Sequence, residues 1–127
     1  MYKKLNYQQA KKKAADLTDK LGCPIDKNIK SLVISLWMCG INTDGSCEGH
    51  KNWGLPYPWV SIVRSSNAKA LNVVMRARTK KNVWVFHPYG QGKYLRITPW
   101  DIKRPLPELH ADAKKMARYL GRLSKYI

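Results

Sequence analysis

The sequence predicts an α+β fold: a single domain over residues 1–127, with a small, mostly antiparallel sheet packed by about four helices. Apolar residues that recur at three- and four-residue spacing predict the helices, and stretches of alternating apolar and polar residues predict the strands. A chain of this length hides roughly two-thirds of its unfolded surface on folding, so it can build a core without disulfides or metals.

Two helices come first in the predicted order. The first covers residues 6–21, with Asn6 as its N-cap. The second covers residues 27–39, with Asp26 as its N-cap and Gly40 at its end. Each has a stripe of apolar residues, which predicts that one side is buried.

Strands and helices then alternate. The remaining predicted elements are two short strands, a helix, a hairpin and a last helix, at residues 41–43, 59–64, 68–80, 83–98 and 108–126. Residues 44–50, between the two short strands, are predicted to form a turn-rich loop. The stretch 68–80 also alternates, which leaves a strand open as an alternative there. In the hairpin, Trp84 and Phe86 share one side of a strand and are predicted to lie in the core.

Charge is the strongest compositional signal. The chain has 24 Lys and Arg residues against 8 Asp and Glu residues, a formal net charge of +16. Between Gly49 and Trp100 there is no acidic residue, whereas nine residues are Lys or Arg. Such a domain attracts anions, and nucleic acid, with RNA preferred, is the predicted partner. An anionic membrane surface and a basic surface that only aids solubility are the other interpretations.

The expected location is the cytoplasm, with no membrane partner. No stretch reaches the roughly 18–20 apolar residues that span a bilayer, and the N-terminus lacks the apolar segment of a signal peptide. In a reducing compartment Cys23, Cys39 and Cys47 are predicted to be free thiols.

Residues 45–50, with the sequence GSCEGH, are the best candidate for chemistry. If the protein is an enzyme, Cys47, Glu48 and His50 are the predicted catalytic residues, with Cys47 as nucleophile and His50 as its base. A second hypothesis is a substrate- or RNA-contacting loop held rigid by its own hydrogen bonds. A third is a tight turn with a buried Cys and a hydrogen-bonded Glu.

A zinc site is the remaining interpretation of this loop. Cys47 and His50 have C-x-x-H spacing, and a third ligand would come from Cys23, Cys39 or His87. Structural zinc usually uses four ligands in two close pairs, and a second close pair is missing. We therefore expect no metal and no cofactor.

Aromatic and basic residues interleave in the second half of the chain. Single-stranded nucleic acids bind to such combinations, because bases stack on rings and phosphates contact cations. The predicted nucleic-acid-binding residues are Lys51, Trp53, Tyr57, Arg64, Arg76, Arg78, Lys80, Lys81, Tyr89, Lys93, Tyr94 and Arg96.

Residues 45–50, followed by GLPYPWV at residues 54–60, resemble a family of small bacterial and phage-type proteins. Those proteins share a helix, a G-S-C-E-G-H loop and a P-W-V strand, and the resemblance implies no particular activity. The loop is also distantly similar to the S-S-C-S-G-R loop of the wybutosine-synthesis tRNA methyltransferases, where Ser and Arg stand in place of Glu48 and His50. That similarity implies an RNA-facing pocket for a modified nucleotide.

The sequence therefore predicts a nucleic-acid-binding protein, either a ribonucleoprotein component or a phage-type inhibitor of a host nucleic-acid machine. One alternative is an enzyme that acts on a nucleotide or tRNA base through residues 46–50. The other is a protein-binding inhibitor that docks on an acidic partner.

Overall fold

The structure, a computed structural model, describes residues 4–17, 24–77, 79 and 82–127. The helices and strands of these residues are α1 (Tyr7–Asp16), α2 (Lys30–Met38), β1 (Thr43–Cys47), β2 (Trp59–Ile62), α3 (Asn67–Ala77), β3 (Trp84–Tyr89), β4 (Tyr94–Pro99) and α4 (Leu106–Leu123). The predicted α+β class, with four helices and a small antiparallel sheet, is confirmed.

The four strands form one antiparallel sheet in the order β1-β2-β4-β3. In the central pair, Val60 lies opposite Ile97 and Ser61 lies opposite Arg96. Successive side chains of a strand point to opposite faces. Val60 and Ile97 therefore share one face, and Ser61 and Arg96 share the other.

The hydrophobic core lies between the first of these faces and the helices. The strand residues of the core are Val60, Ile62, Trp84, Leu95 and Ile97, which are buried in one cluster with residues of all four helices. Phe86 packs against this cluster, so the prediction that Trp84 and Phe86 face the core is confirmed.

Helix α1 begins as predicted but ends earlier. The side chain of Asn6 accepts a hydrogen bond from the Gln9 N–H at 2.8 Å, and Gln9 accepts from the Asn6 N–H at 3.0 Å. This reciprocal pair is a capping box. The helix stops at Asp16 because Leu17 takes an extended backbone. Residues 18–21 of the predicted helix lie outside the described residues.

The prediction that Asp26 caps the second helix is wrong. Helix α2 begins at Lys30, its N-cap is Ile29, and no side chain caps it. The carboxylate of Asp26 instead accepts a hydrogen bond from the Glu48 N–H at 3.0 Å. Asp26 therefore fixes the connection before α2 to the end of strand β1.

Strand β1 lies later in the chain than predicted, because residues 43–47 pair with β2. A register shift between Thr43 and Gly45 takes up the extra residue of this pairing. Gly45 lies against the Trp59 ring, and a Cβ at this position would stand 3.6 Å from it, an ordinary van der Waals contact. Four of the seven residues of the predicted loop are therefore in a strand.

The other elements differ from prediction mainly at their ends. Residues 67–77 are helical, so the helix is confirmed over the strand alternative. The hairpin is confirmed, and the last helix begins at Leu106, with a proline in its first turn. In the part of the chain that the structure describes, no helix has both the length and the apolar character needed to cross a membrane.

Asn82 connects the sheet to the last helix. It accepts a hydrogen bond from the Trp84 indole and donates one to the Asp112 carbonyl, both at 2.9 Å in a buried site. We expect Asn82→Ala to lower the free energy of unfolding by about 2–6 kcal/mol, because it leaves two buried groups unpaired and each costs about 1–3 kcal/mol. Denaturant unfolding measures this. Asn72→Ala, at an exposed position of α3, is the control. Its free energy of unfolding should stay within about 0.5 kcal/mol of that of the unmodified protein. Equal losses would contradict the role of Asn82.

Cys39 gives the stability a pH dependence. Burial raises the pKa of its thiol from 9.0 to about 11, against the opposing charges of Lys4 and Lys69. The contribution of this neutral thiol to the free energy of unfolding is complete below the unfolded pKa near 9 and is lost as the pH rises through the folded pKa near 11.

The destabilisation by Cys39→Ala should therefore be about 1 kcal/mol smaller at pH ~10 than at pH ~8. Denaturant unfolding at both pH values checks this, and a pH-independent difference would contradict it.

Candidate functional site

The face of the sheet opposite the core carries aromatic and cationic side chains. We call the outward side chains of Trp59, Ser61, Tyr89, Tyr94 and Arg96 the aromatic face. Pairing places them together, since Ser61 and His87 both lie opposite Arg96, and Tyr89 lies opposite Tyr94. None of them belongs to the hydrophobic core cluster.

Arg96 is the centre of the aromatic face. Its guanidinium carbon lies 4.5 Å from the ring centroid of Trp59 and 4.6 Å from that of Tyr89. Tyr89 stacks on Tyr94 with centroids 5.1 Å apart, and its hydroxyl shares a hydrogen bond with the Ser61 hydroxyl. Each cation–π contact stabilises such an arrangement by about 0.5–2 kcal/mol. The side chains therefore form one continuous packed row across three strands.

The charge of Arg96 is not paired within the described residues. Within residues 4–17, 24–77, 79 and 82–127, no carboxylate forms an ion pair with Arg96. Its buried Nε has no hydrogen-bond partner among these residues. A buried donor without a hydrogen-bond partner is costly to the fold.

At the edge of the same face, the chain leaves β1 in a tight loop. Cys47 lies opposite Trp59, so both side chains are on the outward side. Gly49 has a φ of +89°, and a Cβ there would lie 2.7 Å from the carbonyl carbon of Tyr57. The His50 N–H donates to the Leu55 carbonyl at 3.1 Å. The loop is therefore folded against residues 55–57, and only glycine fits at position 49.

Glu48 is held by hydrogen bonds from two other parts of the chain. The side-chain amide of Asn28 donates to its carboxylate at 2.5 Å. Nε2 of His110, on α4, is half-buried and donates to the Glu48 carbonyl at 2.7 Å. Glu48 therefore fixes the loop to Asn28, before α2, and to His110 of α4.

Asp26, Cys47 and His50 form what we call the Asp–Cys–His cluster. One potential ligand atom from each lies within 4.8 Å of the other two. Nε2 of His50 lies 3.6 Å from Oδ2 of Asp26. That nitrogen is buried and has no hydrogen-bond partner among the described residues. The His50 ring is held from one side by Trp53, which stacks on it with centroids 3.7 Å apart.

Cys47 carries a neutral thiol at neutral pH. Burial raises the pKa of this thiol, and the carboxylates of Asp26 and Glu48 raise it further, while the Gly49 N–H at 3.4 Å lowers it. A cysteine nucleophile reacts as the thiolate. The surroundings of Cys47 therefore oppose its use as a nucleophile in the absence of a cation.

The structure brings together only some of the predicted nucleic-acid-binding residues. Tyr89, Tyr94 and Arg96 share the aromatic face, and Trp53 is 66% exposed beside His50. Lys51, Arg64 and Lys93 are exposed in connecting segments, Tyr57 is half-buried, and Arg76 is on α3 in the helical layer. Arg78, Lys80 and Lys81 lie outside the described residues.

The residues predicted as a third zinc ligand do not join Cys47 and His50 in the described chain. The Cys39 thiol is in the core and donates to the Leu120 carbonyl at 3.4 Å, and His87 contacts the Thr98 hydroxyl at 3.0 Å. Cys23 lies outside the described residues. The third member of the cluster is Asp26.

Trp59, Ser61 and Asp26 were missing from the predicted site. The alternation of residues 59–62 places Trp59 and Ser61 on one face, and pairing this strand with the hairpin would have placed both on the aromatic face. Asp26 had no comparable signal, because its partner Glu48 is 22 residues away.

A comparison of the chain with protein-family models, with curated proteins and with solved structures found no match. The two resemblances of the GSCEGH loop therefore stay predictions.

The loop after β1 should tolerate no side chain at position 49. We expect Gly49→Ala to lower the free energy of unfolding by about 2–5 kcal/mol, from about 1–2 for the left-handed backbone and 1–3 for overpacking. Gly54→Ala is the matched control, because Gly54 has a φ of +65° with nothing within 4 Å of a Cβ. The free energy of unfolding of Gly54→Ala should fall only by the cost of the left-handed backbone, about 1–2 kcal/mol. Equal losses in denaturant unfolding would contradict the close approach at Gly49.

Proposed function

We propose that the protein binds single-stranded nucleic acid, with RNA preferred, on the aromatic face. The observation that carries this proposal is the position of Arg96. Its guanidinium lies over the rings of Trp59 and Tyr89 on the outward side of the sheet, and no carboxylate of the described residues pairs with it.

The chemistry of single-stranded nucleic acid matches this surface. Unpaired bases stack on aromatic rings and on guanidinium planes, while phosphates accept hydrogen bonds from arginine. Tyr94 is 39% exposed, so one ring of the row is accessible for stacking. In a duplex the bases are already stacked on each other, so a row of rings favours a single strand.

The charge distribution supports the same proposal. Strands β2, β3 and β4 lie in the stretch between Gly49 and Trp100, which has no acidic residue. Phosphates that approach the sheet therefore meet no carboxylate from these strands. The formal net charge of +16 adds attraction at longer range, which weakens as salt is added. A ribonucleoprotein component and an inhibitor of a nucleic-acid machine would both use such a surface.

Two substitutions on the aromatic face test the proposal by fluorescence anisotropy with labelled single-stranded RNA, single-stranded DNA and duplex DNA. Tyr94→Ala should weaken binding of single strands by about 5–100-fold, because a stacked base contributes about 1–3 kcal/mol. Arg96→Lys keeps the charge but loses the planar guanidinium, and we expect a loss of similar size. Duplex DNA should bind weakly and change little.

Tyr119→Ala is the matched control, since Tyr119 is 37% exposed on α4, in the helical layer. It should bind within about twofold of the unmodified protein, because it removes no charge and no ring of the aromatic face. Equal binding by Tyr94→Ala, Arg96→Lys and the unmodified protein would contradict the proposal. If all three nucleic acids fail to bind at physiological salt, an acidic protein partner becomes the better explanation of the charge.

A further inference from the structure

We propose that Asp26, Cys47 and His50 form a binding site for zinc, with one coordination position left for a ligand from outside the chain. The site does not rest on the proposed nucleic-acid binding, since it uses different residues. It also differs from the zinc site considered from the sequence, which had no acidic ligand.

The cluster is compact enough to close around one small metal ion. Zinc binds sulfur at about 2.3 Å and nitrogen or oxygen at about 2.0–2.2 Å, so ligand atoms on one tetrahedral zinc ion lie roughly 3.3–3.6 Å apart. Nε2 of His50 and Oδ2 of Asp26 are 3.6 Å apart. The potential ligand atoms of all three residues lie within 4.8 Å of each other, so small side-chain shifts would complete the site.

The unpaired nitrogen of His50 is an independent indication of a ligand. Nε2 is buried and has no hydrogen-bond partner among the described residues, although Trp53 holds the ring in place by stacking. Buried polar atoms are nearly always paired, and an exception calls for a missing partner. At 3.6 Å the Asp26 carboxylate is beyond hydrogen-bond distance, and a metal between the two groups would bind both.

The groups around the cluster orient its ligands. The Glu48 N–H donates to the Asp26 carboxylate at 3.0 Å, and Glu48 is itself held by Asn28 and His110. Hydrogen bonds of this kind position the ligands in metal sites. The loop therefore presents Cys47 and His50 against a carboxylate that is already fixed.

The set of donor atoms selects the metal. One sulfur, one imidazole nitrogen and one carboxylate oxygen suit zinc, whereas magnesium and calcium prefer oxygen alone. Structural zinc sites have four protein ligands, and sites with an open position have three. No fourth His, Cys, Asp or Glu of the described residues joins the cluster. The open position would lie near the aromatic face, because Cys47 is opposite Trp59.

Metal titration of the full chain, after removal of metal with a chelator, tests the site. Co²⁺ should bind with one ion per chain and give the near-ultraviolet charge-transfer absorption of a thiolate ligand. Zn²⁺ should displace it and raise the melting temperature. Asp26→Asn, Cys47→Ser and His50→Ala should each weaken zinc binding by more than about 100-fold, since loss of even an orienting group costs about 10–100-fold.

Cys39→Ala and His87→Ala are the controls, because they remove a thiol and an imidazole outside the cluster. Both should keep the binding and the thiolate absorption. Asp26→Asn retains an acceptor for the Glu48 N–H, so circular dichroism should show a folded protein. Absence of binding by the unmodified chain, or a thiolate absorption that survives Cys47→Ser, would overturn the proposal.

Discussion

The register between β2 and β4 determines both faces of the sheet at once. Val60 pairs with Ile97 and Ser61 with Arg96, so the pairing that buries two aliphatic side chains also turns the arginine outward. A slip of one residue would exchange the faces and carry the guanidinium into the core. An unpaired charge there costs several kcal/mol or more. The same strand register therefore determines both the packing of the core and the outward position of Arg96.

The structure uses its cations in different ways. Arg104 forms an ion pair with the buried Asp112 and lies 3.7 Å from Glu108, so its charge is balanced within the fold. Lys13 lies 4.4 Å from the centre of the Trp37 ring and covers part of the core. Arg96 has rings beside it and no described carboxylate. Arg104 and Lys13 thus contribute to the stability of the fold, while Arg96 is a cation of the sheet that no described carboxylate neutralises.

Local signals predicted the parts of the structure that local interactions determine. The N-cap at Asn6 and the hairpin involve residues close in sequence, and both predictions are confirmed. Strand β1 was misjudged because Asp, Gly and Ser are poor strand formers, and pairing with β2 overrides that preference. For the same reason only two members of the Asp–Cys–His cluster were predicted: the cluster brings Asp26 to a loop 22 residues later in the chain.

Both outer strands of the sheet have features that hinder the addition of another strand. Regular edges offer rows of unpaired N–H and C=O groups, onto which a second chain can align and aggregate. The irregularity between Thr43 and Gly45 interrupts that row in β1. In β3, Pro88 has no N–H to donate. The sheet is therefore protected from lateral growth, so a concentrated solution of this protein can resist fibre formation even when a polyanion neutralises its mutual repulsion.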